Sequence, residues 1–257
     1  VKRILLTNDD GIHSDGILAL SRRLGKFAEV TVVAPDAERS AQGHAITLSV
    51  PLRVYETRRE GSFFGYAISG TPADCVKIAM MSIMKDRKPD LIISGVNRGP
   101  NLGVNVLYSG TVSGATEGAI LGVPSFAVSL NSFKWENYRA AVDFAAKLAK
   151  TMLDGKLPAG TLLNVNVPAL PGSRIKGVKV TRQGISTFYK EDYDRRVDPN
   201  GRGYYWLCSY KAAVSGDEMV DAVAVRDGYI SITPLHYDMT DYKDLERLSD
   251  AGKGLFK

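Results

Sequence analysis

The sequence holds two cysteines, Cys75 and Cys208, and three histidines, His13, His44 and His236, among 257 residues. Two distant cysteines without a partner motif exclude a disulfide scaffold and read as free core thiols of a reducing compartment. A chain of this length buries enough apolar surface to fold without covalent staples. Dispersed histidines and the absence of a Cys/His cluster at ligand spacing argue against zinc. No apolar run approaches the ~18 residues of a membrane span. The opening run Val1–Leu6 is too short for a secretory leader and reads as a first strand. These absences point to a cytoplasmic protein with no membrane partner.

Sequence motifs are missing too. No G-x-G-x-x-G follows the first strand, and there is no Walker A loop and no G-x-S-x-G elbow. Nicotinamide binding, P-loop chemistry and serine hydrolysis of the α/β type therefore have no support. The net charge is +5 and the sequence pI about 9.1. The densest basic spots, Arg22-Arg23, Arg58-Arg59 and Arg195-Arg196, are pairs and not tracts. Such a surface attracts phosphates without forming a nucleic-acid interface, so no nucleic-acid partner is expected.

What is present is an alternation of strand and helix patterns. Strands are expected at Arg3–Thr7, Glu29–Ala34, Asp90–Ser94, Val123–Leu130 and Leu162–Val167, and helices at Gly16–Leu24, Pro72–Met84, Val112–Leu121 and Asn137–Met152. Thr71 followed by Pro72 supplies an N-cap and a first-turn proline. This order predicts an α/β fold with a doubly wound, mostly parallel sheet. From Pro168 the pattern turns β-rich, with strands expected at Lys176–Arg182, Tyr204–Tyr210 and Tyr229–Thr233. Residues 1–257 read as a single domain. Within it, about 168–235 form a β-rich excursion suited to oligomerisation, and about 236–257 hold a tail helix near Asp241–Ser249.

The chemistry concentrates at strand ends. Thr7-Asn8-Asp9-Asp10-Gly11 puts two adjacent carboxylates at the carboxyl end of the first strand. Such a pair is costly unless a cation compensates it, and strand carboxyl ends are where open α/β sheets bind ligands. The second strand leads into Pro35-Asp36 and Glu38-Arg39-Ser40-Ala41-Gln42-Gly43-His44, and the strand at 90–94 into Gly95-Val96-Asn97-Arg98-Gly99. One sheet edge then gathers two carboxylates, a hydroxyl and an amide, an all-oxygen set that suits Mg²⁺, Mn²⁺ or Ca²⁺. Ser109-Gly110-Thr111 opens a helix on the same edge, where free N–H groups and the helix dipole suit a phosphate. Substrate-side candidates are therefore Asn8, Ser109, Gly110 and Thr111, with His44 and His236 as further candidates. Tyr108, Phe188 and Tyr189 are aromatic candidates for stacking on a base.

These motifs, together with Ser69-Gly70-Thr71-Pro72-Ala73-Asp74-Cys75-Val76 and Ile230-Ser231-Ile232-Thr233-Pro234-Leu235-His236, resemble the SurE family of 5′/3′-nucleotidases over nearly the whole chain. The resemblance implies a Rossmann-like core with a β-rich C-terminal extension exchanged between subunits, giving a homodimer or homotetramer. It implies one divalent metal per subunit, Mg²⁺ or Mn²⁺, with Asp9, Asp10, Ser40 and Asn97 as ligands. It also implies hydrolysis of nucleoside monophosphates, and of other phosphomonoesters or short polyphosphate, with Asp9 and Asp10 catalytic. Direct attack by water is favoured, because a metal-bound carboxylate is a poor nucleophile and the D-x-D-x-T motif is absent. Two other readings are weighed against this one: a Mg²⁺- or nucleotide-binding module without turnover, and a basic nucleic-acid-binding protein.

Overall fold

The computed structural model describes residues 1–134, 137–158, 160–185, 189–211 and 216–255. Strand β1 (Arg3–Thr7), helix α1 (Asp15–Leu24) and strand β2 (Glu29–Pro35) make the first parallel unit. A hairpin follows, β3 (Val54–Arg59) and β4 (Ser62–Ile68), turning at Glu60-Gly61. Both turn residues have positive φ, 51° and 79°, the hand that matches strand twist. The hairpin is absent from the sequence-derived element order, because β3 is mostly exposed and lacks an apolar period.

Helix α2 (Pro72–Ile78) then crosses to β5 (Leu91–Arg98) on the far side of β1. Thr71 and Asp74 cap it reciprocally, and a wider π-type turn at Ala79–Ile83 continues it. Helix α3 (Gly110–Ile120), β6 (Ser125–Asn131), α4 (Arg139–Leu153) and β7 (Leu162–Pro168) extend the sheet outward in parallel. Beyond them come β8 (Val178–Val180), β9 (Tyr189–Val197), β10 (Gly203–Lys211), α5 (Asp221–Arg226), β11 (Ile230–Pro234) and α6 (Tyr242–Leu255). Among the described residues the main sheet runs β3-β4-β2-β1-β5-β6-β7-β11-β8, and β9 and β10 form a separate antiparallel ribbon.

The chain is thus doubly wound, as expected. Helices α1 and α4 cover one face, burying Leu20, Leu24, Val142 and Ala145 against Ile4, Leu6, Ile93 and Phe126. On the other face α2 sets Cys75 and Val76 against Leu5 and Ile92, and α3 sets Val112, Ala115 and Ala119 against Ala127. Alternation within β1, with Ile4 and Leu6 to one side and Leu5 to the other, follows the strand's period of two. The winding direction reverses between β2 and β5, on either side of β1, so the carboxyl end of β1 lies at the topological switch point.

Three expectations need adjustment. Strand β5 does not stop at Ser94 but runs to Arg98 beside Ser129 and Leu130, with a register shift between Gly95 and Asn97. Asn97 is therefore on a strand end and not in a free loop. Cys208 is not a core thiol: Cys75 is buried, but Cys208 sits half-buried on β10. Within 168–235, β8 and β11 join the main sheet, and the described residues that leave it are those of the Tyr189–Lys211 ribbon.

Candidate active site

Strand β1 ends at Thr7 and leads into Asn8 and Asp9, all three buried, and then half-buried Asp10. Asn8 shapes the turn: its amide nitrogen donates to Gly11 O at 3.0 Å and Ser14 Oγ at 2.8 Å, while its Oδ1 has no hydrogen-bond partner among the described residues. Asp9 meets the first turn of α3. Thr111 Oγ1 donates to Asp9 Oδ1, and the Thr111 backbone N–H also favours the carboxylate. Burial still dominates. It pushes the Asp9 carboxyl up from 3.8 to about 7 against these hydrogen bonds, and neighbouring Asp10 pushes the same way. Burial also raises Asp10, partly offset by the Arg98 N–H at 3.2 Å and by the Arg98 charge.

Gly110 lets these parts meet. A Cβ there would lie 2.9 Å from Asp9 Cβ, 3.1 Å from Asp9 Oδ2 and 3.2 Å from Arg39 O. Ser109 caps the same helix, its Oγ accepting from Val112 N at 3.1 Å. Ser40 follows Arg39, whose N–H donates to Asp9 O at 2.8 Å, and Ser40 Oγ lies 2.7 Å from Glu38 Oε1. Asn97 donates its amide nitrogen to Gly99 O at 2.8 Å, which leaves its oxygen as the available ligand atom.

Asp9, Ser40, Asn97 and Ser109 line one cleft of about 500 Å³, shared with Arg98, Asn101, Asn105, Tyr108 and Phe133, and with Glu191 and Leu207 from the ribbon. Asn101 is fixed from below: its N–H reaches Asn166 Oδ1 at 2.8 Å, and its carbonyl accepts from Asn164 and Asn166 at 2.8 and 2.9 Å. His44 and His236 are not among the lining residues. His44 Nε2 lies 2.8 Å from Glu117 Oε2. His236 is exposed, stacks on Tyr237 and accepts from Asp238 N. Phe188 lies outside the described residues. Sequence reasoning missed Arg98, whose guanidinium makes no ion pair within 4 Å among the described residues; its signal was a lone cation in a stretch of glycine and asparagine.

The donor set suits a hard divalent cation. No cluster of three or more His, Cys, Asp or Glu at metal distance occurs among the described residues. A cation here would therefore rest on two carboxylates and two neutral oxygens, an arrangement that fits Mg²⁺ or Mn²⁺ better than zinc. Burial raises the carboxyls of both Asp9 and Asp10, an environment in which a nearby cation would favour their charged forms.

A sequence model of the family described as Survival protein SurE matches residues 4–190. The chain belongs to the SurE family. Its relatives include the protein named 5′-nucleotidase SurE of Syntrophobacter fumaroxidans, 52% identical over 246 residues, covering 96% of this chain and 98% of the relative. The like-named protein of Natranaerobius thermophilus is 47% identical over 255 residues, with 96% and 98% covered. Among solved structures, the SurE protein from Aquifex aeolicus superimposes with a TM-score of 0.84 at 41% identity, over 97% of this chain and 99% of that one. The family's fold is this one: a mostly parallel sheet between helices with additional C-terminal antiparallel strands.

Proposed function

We propose that this SurE-family chain is a divalent-metal-dependent phosphomonoesterase that hydrolyses nucleoside monophosphates to nucleosides and inorganic phosphate. Other phosphomonoesters and short polyphosphate are secondary substrates on this reading. The observation that carries it is buried Asp9 beside half-buried Asp10 at the switch point, with Asp9 lining an open cleft and held by Thr111 in the first turn of α3. The relatives' name, 5′-nucleotidase SurE, supports the substrate class.

Asp9, Asp10, Ser40 and Asn97 would hold the cation. When bound, it would polarise a phosphoryl oxygen and acidify a water. Asp9 and Asp10 supply the negative charge, and a carboxylate oxygen of the pair accepts the proton of the attacking water. Arg98, at the cleft, offers its guanidinium to equatorial phosphoryl oxygens. Ser109 and Gly110 place those oxygens at the positive end of α3, where charge must be held in the transition state. Direct attack by water is favoured over an aspartyl-phosphate, because Asp9 is confined by Thr111 and by its burial.

Phosphate release should appear with nucleoside 5′- and 3′-monophosphates in Mg²⁺ or Mn²⁺ and vanish in EDTA. Release that persists in EDTA would overturn the metal-dependent reading, and binding without release would favour a non-catalytic module. No helix among the described residues is long and apolar enough to cross a membrane. A cytoplasmic location suits the two unpaired thiols.

The ribbon supports assembly with further copies of the chain. Tyr193, Tyr205, Trp206 and Leu207 are all more than half exposed on it, a concentration of apolar surface that monomers rarely leave uncovered. Sedimentation should show a dimer or tetramer, and Trp206→Glu with Tyr205→Glu should shift it toward monomer. An assembly unchanged by both charges would place the interface elsewhere.

A further inference from the structure

Residues 36–53 carry Ser40 yet belong to no helix or strand. Their position must come from contacts with other elements. Near Ser40 the Arg39 N–H donates to Asp9 O at 2.8 Å, and the Gly43 N–H to Tyr108 O at 3.0 Å. Farther along, Thr71 Oγ1 donates to Ala45 O at 2.7 Å, and Thr47 donates twice to Asp74, at 3.0 and 2.6 Å.

Between these contacts lies an ion-paired anchor. Glu117, on α3, is 3% exposed and plays no part in the chemistry above. Lys77 Nζ donates to its Oε1 at 2.8 Å, and His44 Nε2 stands 2.8 Å from its Oε2. Burial pushes the Glu117 carboxyl up, but the bonds and charges of His44 and Lys77 outweigh this and hold it below the ordinary carboxylate value. Lys77 alone suffices to neutralise the charge. His44 does something different: it ties the irregular segment to a rigid helix. Helix α3 then fixes two parts of the cleft. Its first turn holds Asp9 through Thr111, and its second half holds the Ser40 segment through Glu117.

We propose that Glu117 is a positioning residue that acts through His44, setting Ser40 against Asp9 so that the oxygen donors are preorganised for a divalent cation. The proposal rests on the reading of Ser40 as a metal ligand. Donors held in place before binding avoid the ordering cost that a loose segment imposes.

Two measurements on the full chain test it: Mn²⁺ titration by calorimetry without substrate, and hydrogen exchange of the metal-free protein at the Arg39 and Gly43 amides. His44→Ala should weaken Mn²⁺ binding about 10- to 100-fold, the range seen when supports behind metal ligands are removed. It should also speed exchange at Arg39 and Gly43 by roughly tenfold or more, with the α3 amides unchanged. His44→Gln keeps an N–H donor and should recover most of both losses. Joint Glu117→Met and Lys77→Met replacement removes the post as an apolar pair, without stranding a charge, and should behave like His44→Ala. Unchanged exchange in His44→Ala overturns the clamp whether or not metal binds, and faster exchange with unchanged Mn²⁺ affinity overturns its role in positioning. Wild-type protein that binds no Mn²⁺ would refute the metal reading itself, and exchange alone would then decide whether Glu117 orders the segment.

Discussion

Asp9→Asn should abolish phosphate release and, in metal-free protein at neutral pH, raise the melting temperature. The two effects share a cause. The Asp9 carboxyl is buried beside Asp10, and its pKa rises from 3.8 to about 7 in the fold because burial disfavours the charged form. Below pH 3.8 the folded and unfolded states both hold the proton. Between there and about 7 the unfolded chain sheds a proton that the fold retains, so stability falls as pH rises, and it levels off above. An amide of the same shape escapes this penalty, which is on the order of a few kcal/mol at 1.36 kcal/mol per pKa unit. Scanning calorimetry in EDTA should therefore show a rise of roughly 5 °C or more at pH 7.5, shrinking toward pH 4. On the proposed reading Asp9 is a charged metal ligand whose loss removes several kcal/mol of transition-state stabilisation, so turnover should drop by about a thousandfold or more. A variant that melts lower at pH 7.5, or that keeps wild-type turnover, would remove Asp9 from the centre of the site.

Gly110→Ala should cost activity far more than stability. The added methyl would stand 2.9 Å from Asp9 Cβ and 3.2 Å from Arg39 O, so either the carboxylate or the Ser40 segment must move. A strained insertion of this size costs about 1–3 kcal/mol, which a cleft-edge site absorbs by shifting. The shift falls on the atoms that must be aligned, and a displacement near 1 Å costs roughly a hundredfold in rate. We expect kcat/KM for a nucleoside monophosphate to fall about a hundredfold with a small change in melting temperature. Gly172→Ala is the control, since a Cβ there meets nothing within 4 Å. Equal activity in the two variants would show that the approach of α3 to Asp9 is not needed.

Much of the fold was legible because the central strands are short, β-branched and bounded by glycine or proline. Glu29–Pro35 and Leu162–Pro168 signal themselves in this way. The candidate site was legible for a related reason: Asp9-Asp10 after an apolar strand has no cheap structural explanation. The β3–β4 hairpin was not, because exposed residues such as Val54, Tyr55, Arg58 and Phe63 give no periodic signal. Nor was α5, whose run Asp221–Arg226 is too short to show a helical stripe. Glu117 was hidden for a deeper reason. Its partners are 73 and 40 residues away, and only the folded sheet brings His44 and Lys77 to it.

The two open edges of the sheet bear on how copies of this chain meet in a crowded solution. At one end β3 carries Glu56, Arg58 and Arg59 and breaks its ladder between Thr57 and Arg58. At the other, β8 spans three residues, and its Lys179 is paired with Glu218. Charges, a break in the ladder and shortness all discourage a foreign strand from adding to a sheet. Strand-by-strand addition, the route to fibrils, is thereby disfavoured at both ends of the main sheet.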